Sequence, residues 1–465
     1  MHKELELEFT KIVGEGKALG RTNGKVVFSY GILPGETAKV EVVREKRNFI
    51  DAKLIEIINP SPERIQEKED HYLSCSPWQI MNYDFQVKTK KNIVEDLLYQ
   101  TTKETIKIEN FYRAENIFGY RTKIEYSFTQ NSEGQLRFAF HKRCCWGEKY
   151  ILENGCALMG DETNSIALKI LEIINSKNIA LEDLKTLVFR ESKHLNERIA
   201  ILYVKNKDIN LGEFQNYDEW TVPSKDCLGH KFSSFYLEEC RIKAPCSSDD
   251  QMEGLNGFII AYSDPLSPMS VVTEVIYQTG SDFITEKLLG KKFSYSYDCF
   301  FQNNIDLFEK ALEEIRASAF KCSKIIDLYS GVGSIGLSLA DMADKVYAIE
   351  SVDSAVKYAQ INAEQNNISN FEIVCSMSEK ADTDIFKGTD ILVLDPPRAG
   401  LHKKVIKAIF EILPKRIIYL SCNPITQGRD TAFFLEKYNI IKTAGFDFYP
   451  NTPHTETLIV FDRKD

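Results

Sequence analysis

No apolar run in these 465 residues approaches the roughly 20 needed to cross a bilayer, so no membrane span is expected. The opening stretch, MHKELELEFT, carries too many charges for a secretory signal. The eleven cysteines are scattered, odd in number and without the spacing of a disulfide scaffold, which points to a reducing cytoplasm. A basic excess is missing as well. The net charge is -10, so the total gives no support for a nucleic-acid partner, and any phosphate-binding face must be local.

The length suggests about three domains. The stretch that organises them is IIDLYSGVGSIGLSLA, residues 325–340. It reads as an apolar strand, a glycine turn and a helix start. Gly331 and Gly333 lack a Cβ, so the backbone can turn tightly and approach a ligand. A helix beginning near Ser334 turns its free N–H groups toward that turn. Gly331-x-Gly333-x-x-Gly336 also fits a dinucleotide fingerprint. Asp327 shifts the balance, because a carboxylate ahead of the glycines suits a cationic ligand better than a pyrophosphate. Glu350 ends the next apolar strand, where an acid can accept ribose hydroxyls. S-adenosylmethionine is favoured over a nicotinamide cofactor.

Residues 1–58 alternate apolar and polar positions in short runs separated by turn signals, which predicts a small closed β-barrel of the OB type. Pro60, Ser61 and Pro62 mark a boundary. Residues 84–99 predict an amphipathic helix with a basic patch of Lys88, Lys90 and Lys91, and the helix, taken as 84–100, is expected to pack on the C-terminal domain. Residues 59–289 then read as a central α+β domain, with strands in KIEYSF, LRFAFHK, TLVFR, RIAILYVK and GFIIAYS and a helix in SIALKILEIINS. Arg121, Lys123, Lys142 and Arg143 lie on or beside those strands and offer a phosphate-facing surface. Arg44, Lys46 and Arg47 form a second, smaller basic turn. Cys144 and Cys145 are adjacent, which is not a metal-ligand spacing. Cys299, Cys322 and Cys375 read as core residues.

Residues 290–465 alternate strands and helices at short spacing. That pattern predicts a parallel, Rossmann-like sheet with ligands beyond its carboxyl edge. Asp327, Glu350, Asp395 and Cys422 all fall at such strand ends. Asp395-Pro396-Pro397-Arg398 follows one strand, and the two prolines stiffen the turn that presents Asp395. Arg398 stands where adenine-N6 methyltransferases carry a stacking aromatic.

The motifs resemble the RNA uracil-C5 methyltransferases. D-P-P-R-x-G is followed by Y-x-S-C-N-x-x-T, with Tyr419, Ser421, Cys422, Asn423 and Thr426. Near the end comes D-x-Y-P-x-T-x-H-x-E, with Asp447, Tyr449, Pro450, Thr452, His454 and Glu456. Position 451 is Asn, where the family more often has Gln, His or Tyr. Phe300–Asn304 matches F-F-Q-x-N. Gly14, Gly16, Gly20, Arg21, Leu33, Pro34, Gly35 and Glu36 resemble a TRAM domain, an RNA-binding barrel. The resemblance implies cofactor contacts from Gln302, Tyr329, Ser334, Glu350 and Asp395. It implies Cys422 as the nucleophile that adds to uracil C6 and Glu456 as the base that removes the C5 proton. Asp395 is left between cofactor and uracil edge, His454 between orienting Glu456 and binding substrate, and Arg398 between bracing its turn and binding phosphate. The helix after Cys422 is expected to help activate the thiol.

Many members hold an iron–sulfur cluster on four cysteines. Here Gln79 and Tyr83 match the neighbouring motif, but only Cys75 and Cys156 remain as thiolates. No cluster and no metal ligand are therefore expected. The partner implied is RNA, with 23S rRNA ahead of tRNA because of the barrel. The chain is expected to act as a monomer. Rival readings are a nicotinamide-dependent oxidoreductase and a ribosome-assembly factor with a relict methyltransferase fold.

Overall fold

The structure, a computed structural model, describes residues 3–143, 147–209 and 254–465. Cys144 and Cys145 lie outside the described residues. Among the described residues, no helix is long and apolar enough to cross a membrane.

Five strands, Glu4–Val13, Lys17–Thr22, Lys25–Ser29, Glu36–Glu45 and Phe49–Asn59, close into a barrel. Their alternation puts Phe9, Ala18, Val27, Val40 and Ala52 inside. Glu36 of the L-P-G-E turn is fully buried. Its carboxylate accepts from Leu33 N at 2.7 Å, Ser61 N at 3.0 Å and the Arg64 guanidinium at 2.6 and 2.7 Å. This motif therefore latches the barrel to the segment that follows it. Arg44, Lys46 and Arg47 form an exposed turn.

Among the described residues the central sheet has seven strands, in the order Glu274–Gly280, Gly257–Tyr262, Arg198–Val204, Leu184–Glu191, Lys123–Gln130, Leu136–His141 and Lys149–Leu152. Period-two alternation splits its faces. Ala200, Leu202 and Val204 pack under the helix Asp161–Ser176, whereas Ile199, Ile201 and Tyr203 join the core of the C-terminal unit.

The C-terminal sheet has eight strands, in the order Phe371–Cys375, Ala343–Glu350, Cys322–Leu328, Ile391–Leu394, Arg416–Ser421, Glu456–Arg463, Tyr438–Phe446 and Asn110–Tyr112. The first five are parallel, as expected. Glu456–Arg463 departs from the expectation and runs antiparallel to both neighbours. Its hairpin with Tyr438–Phe446 returns the chain to the carboxyl edge through residues 447–455.

One boundary read from sequence cuts a paired hairpin, whereas the helix expected to pack on the C-terminal domain does so. The edge strand Asn110–Tyr112 and the helix Tyr83–Thr102, both inside 59–289, sit on the C-terminal unit. That helix lies against Pro424–Phe434 so closely that a Cβ on Gly428 would fall 2.0 Å from Thr101 Oγ1. The cut at 289/290 falls in the turn of a hairpin whose strands, Phe283–Leu288 and Lys291–Ser296, pair along their whole length. Of the cysteines expected in the core, Cys299 is buried and Cys322 half-buried. Cys375 is exposed and donates to Asp353 Oδ1 at 3.0 Å, because its strand forms the sheet's edge.

Candidate active site

The carboxyl edge of the C-terminal sheet carries the expected acids on one turn. The backbone at Gly331 and Gly333 has φ of +54° and +83°, which these glycines adopt without strain. Asp327 is wholly buried and accepts the Gly336 N–H at 2.8 Å. A Cβ at position 336 would sit 2.9 Å from the same carboxylate oxygen. Ser334 opens a helix of only five residues, Ser334–Ser338. Glu350 accepts the Gly331 N–H at 2.9 Å and the N–H groups of Ser351 and Val352 at 2.6 and 2.9 Å, so it ties the glycine turn to the next strand. Tyr329 sits between them with φ of +63°, a left-handed conformation that costs a non-glycine residue about 1 kcal/mol or more.

This region fits a cationic ligand. Asp327 Oδ1 and Ser330 Oγ are buried polar atoms without a hydrogen-bond partner among the described residues, and so, on the segment ahead of this unit, is Gln302 Oε1. Burial, then Asp395 and Glu350, pushes the Asp327 carboxyl up to about 8. Burial pushes Asp395 up to about 7. A positive charge bound here would stabilise both as carboxylates.

Sheet register brings Cys422 and Glu456 together. Ser421 pairs with Thr457 across the antiparallel strands, so the next residues outward on that edge are Cys422 and Glu456. Cys422 is half-buried and Glu456 is buried. Burial pushes the Cys422 thiol up to about 12, and Glu456 and Asp395 add to the rise, while Arg398 opposes it. The helix Pro424–Phe434 follows at once, yet the expected activation by it does not outweigh burial and the two acids. Burial and Asp395 also hold the Glu456 carboxyl well above its ordinary range. The Cys422 thiol therefore carries its proton in the ligand-free protein near neutral pH. His454 is pushed down to about 4 by burial and by the cations Arg398, Lys90, Arg143 and Arg121, so its ring is neutral.

The segment bearing Glu456 and His454 is held by the helix Tyr83–Thr102. Lys90, expected in a basic surface patch, is instead fully buried. It ion-pairs with Asp447 and donates to Tyr449 O at 2.9 Å. Lys88 is exposed and Lys91 half-buried. One turn earlier, Gln86 donates to Asn451 Oδ1 at 2.9 Å and accepts the Asn451 N–H at 3.0 Å. Asn451 has φ of +62°, a conformation Asn tolerates better than most residues. Trp78 N donates to Asn451 O at 3.0 Å, and Tyr120 Oη to Pro450 O at 3.1 Å. Nothing local marks Lys90 or Gln86 as buried, and Trp78 holds Asn451 through its backbone N–H, which leaves no signal in the sequence.

A cleft of about 470 Å³ opens beside His454. Arg121, Lys123 and Arg143 line it together with Asn303, Thr452 and Cys75. Three of the four cations read from the central strands thus meet at one place. The fourth, Lys142, pairs with Glu148 at 3.0 Å. Arg143 also stacks over Tyr30 of the barrel at 5.1 Å, so the cleft lies where barrel and central sheet meet.

A sheet of this order, with acids gathered on a glycine turn, is the architecture of S-adenosylmethionine-dependent methyltransferases. Residues 272–464 match the family model described as tRNA (uracil-5-)-methyltransferase. An uncharacterized RNA methyltransferase of Caldanaerobacter subterraneus subsp. tengcongensis is 30% identical over 457 residues, which span 97% of this chain and 96% of its own. One from Fusobacterium nucleatum is 29% identical over 472 residues, 99% of this chain and 96% of its own. The solved structure of Pyrococcus abyssi tRNA (uracil-54, C5)-methyltransferase, in complex with S-adenosyl-L-homocysteine, matches the fold with a TM-score of 0.76 at 23% identity. The match covers 98% of this chain and 100% of that one. The chain belongs to the RNA uracil-C5 methyltransferase family.

Proposed function

We propose that this protein methylates C5 of a uridine in RNA through a covalent bond between Cys422 Sγ and uracil C6, with Glu456 removing the C5 proton. The observation that carries this is the strand register that sets Cys422 beside Glu456. S-adenosylmethionine, when bound, supplies an electrophilic methyl group on a cationic sulfur. Gln302, Tyr329, Ser334, Glu350 and Asp395 are the residues proposed to hold it.

Uracil C5 is too weak a nucleophile to take that methyl directly. The Cys422 thiol must first give up its proton to solvent; the thiolate then adds at C6, which breaks the C5–C6 double bond and leaves C5 as an enolate carbon that would take the methyl group as its bond to the sulfonium sulfur breaks. Glu456 then takes the C5 proton, the double bond re-forms, and Cys422 leaves as thiolate. The balance is one methyl gained and one proton released. The uridine must be turned out of its stack, at a cost of about a few kcal/mol. The cations of the cleft are placed to hold the flanking phosphates, and neutral His454 faces the same space. One chain carries every group the reaction needs, so a monomer suffices. The free thiol suits a reducing cytoplasm.

On the family resemblance, the substrate proposed is 23S rRNA. A second reading, tRNA, is favoured by the Pyrococcus abyssi protein, described as a tRNA enzyme. Its likeness covers so much of this chain that the barrel is included, and the barrel therefore no longer separates the two RNAs.

The test uses rRNA and tRNA fragments containing 5-fluorouridine, with S-adenosylmethionine present. Fluorine cannot leave as a proton, so the adduct should stall as a denaturation-resistant protein–RNA complex. The expected attachment is at Cys422, lost in Cys422→Ala, and the RNA that traps best names the substrate. Cofactor binding without a complex on any RNA would sink the reading in favour of a relict fold.

A further inference from the structure

A second cluster of reactive side chains lies away from the methyl-transfer chemistry, at the junction of the barrel's linker and the central sheet. The run Glu69-Asp70-His71-Tyr72-Leu73-Ser74-Cys75 ends in a single helical turn, Tyr72–Cys75, with His71 just before its first residue. His71 and Cys75 are four residues apart, so they share a face of that turn. Glu69 lies just before it. Across from them, Cys156 sits in the loop between the strand Lys149–Leu152 and the helix Asp161–Ser176. Among the described residues, Glu69, His71, Cys75 and Cys156 each turn one donor atom inward, and these four atoms all lie within 4.8 Å of one another.

The surroundings hold this arrangement from both sides. Asn164 Nδ2 donates to Cys156 O at 3.0 Å, and Asn164 Oδ1 accepts from Cys156 N at 3.1 Å and from Tyr126 Oη at 2.5 Å. Gly155, with φ of +82°, packs so tightly on Asn164 that a Cβ there would fall 2.2 Å from its amide oxygen. Glu69 Oε1 accepts the Ala157 N–H at 2.5 Å, and Glu69 Oε2 accepts from Gln79 Nε2 at 3.0 Å. The His71 ring rests edge-on against Phe140 at 5.6 Å. His71 is 7% exposed, and its Nε2 is buried with no hydrogen bond of acceptable angle, although Glu69 Oε1 is 3.3 Å away.

A buried imidazole nitrogen that meets only a misaligned carboxylate oxygen at 3.3 Å and two sulfurs is poorly satisfied as it stands. A shared cation removes the cost. Two sulfurs, one nitrogen and one oxygen suit tetrahedral Zn²⁺. Bonds of about 2.0–2.3 Å set tetrahedral donors roughly 3.3–3.8 Å apart, so the Glu69–His71 pair already fits and the widest pair closes by about 1 Å. Two thiolates cannot hold a four-iron cluster that needs four.

We propose that Glu69, His71, Cys75 and Cys156 form a closed, structural zinc site. All four positions are filled by protein, so the site leaves no open position for chemistry. Binding exchanges two thiol protons for two Zn–S bonds and involves no redox step. Its effect is mechanical: it staples the segment before the helix Tyr83–Thr102 to the central sheet. Cys75 also lines the cationic cleft, so the staple fixes one wall of that cleft. The proposal does not depend on the methyltransferase reading.

The test is elemental analysis of the full-length protein purified under a thiol reductant from zinc-supplemented cells. About one zinc per chain is expected. His71→Ala and Cys156→Ser should each lose most of it, while Cys144→Ser with Cys145→Ser should keep it. Protein stripped by a chelator should take up Co²⁺ with the charge-transfer absorption of two thiolates, and zinc should displace it and raise the thermal midpoint. The cobalt measurement uses the natural sequence, so it stands even if a variant does not fold. Trace zinc with no cobalt–thiolate absorption overturns the proposal. So do iron with matching sulfide, a Cys75–Cys156 disulfide in the reduced preparation, or zinc lost in the Cys144/Cys145 variant.

Discussion

Lys90 and Asp447 form an ion pair sealed from solvent, although 357 residues separate them in the chain. Asp447 begins the segment that carries His454 and Glu456, so a lysine on a distant helix anchors the loop of the proposed general base. Burial pushes the Lys90 ammonium below its ordinary range, and Asp447 opposes the shift. Removing one partner strands a buried charge. Lys90→Met should therefore lower unfolding stability by about 3–5 kcal/mol. Lys90→Met with Asp447→Leu should recover part of that loss in a denaturant titration. A loss below about 1 kcal/mol in the single variant would mean that the pair is not sealed.

Glu456 is the proposed base for the second half of the reaction only, so its loss should not stop the first. Glu456→Gln should form the bond to C6 and transfer methyl but fail to eliminate. Turnover should fall about 10²–10⁴-fold. A denaturation-resistant complex should build up on ordinary RNA, without fluorine, and vanish when Cys422→Ala is added. A variant as slow as this that traps no RNA would assign Glu456 to binding instead.

Local periodicity made most elements legible: the barrel strands, five of the seven described central strands and the parallel run from Cys322 to Ser421 follow from alternation and apolar runs, whereas Lys149–Leu152 and Glu274–Gly280 were not read. Strand ends named Asp327, Glu350, Asp395 and Cys422. What stayed hidden depends on partners far away in the chain. The antiparallel course of Glu456–Arg463 is set by pairing with Arg416–Ser421, which no local pattern reports. Lys90 looks like any surface lysine until Asp447 is beside it. Glu69 and His71 carried a usable signal, an acid and a histidine just ahead of Cys75. Their link to Cys156 exists only after the central sheet folds against them.

The raised carboxyls fix the sign of a pH dependence. Asp395 and Asp327 move from 3.8 to about 7 and about 8 on folding. The folded state therefore holds their protons more tightly, and the stability they contribute is full below 3.8 and lost as pH rises through about 7 to 8. The thermal midpoint of the ligand-free protein should fall over that window, less steeply in Asp327→Asn with Asp395→Asn. A bound cation reverses the preference. S-adenosylmethionine should bind more tightly as pH rises from about 6 to about 8, releasing protons, and its uncharged-sulfur product should show a weaker trend. Calorimetry in two buffers of different ionisation enthalpy measures both. Equal trends for the two ligands would remove Asp327 and Asp395 from the cation's surroundings.

The cleft beside His454 makes its own prediction for RNA. Lys123 and Arg143 line it, whereas Lys142 is held by Glu148. Each phosphate contact releases counterions, so losing one should weaken binding and flatten its salt dependence together. Lys123→Ala and Arg143→Ala should each reduce the slope of log affinity against log salt by about 1, and Lys142→Ala by much less. Arg143 also rests on Tyr30 of the barrel, so Tyr30→Ala should mimic part of the Arg143 loss without changing any charge. An unchanged slope in both Lys123→Ala and Arg143→Ala would move the RNA path off this cleft and toward the exposed turn of Arg44, Lys46 and Arg47.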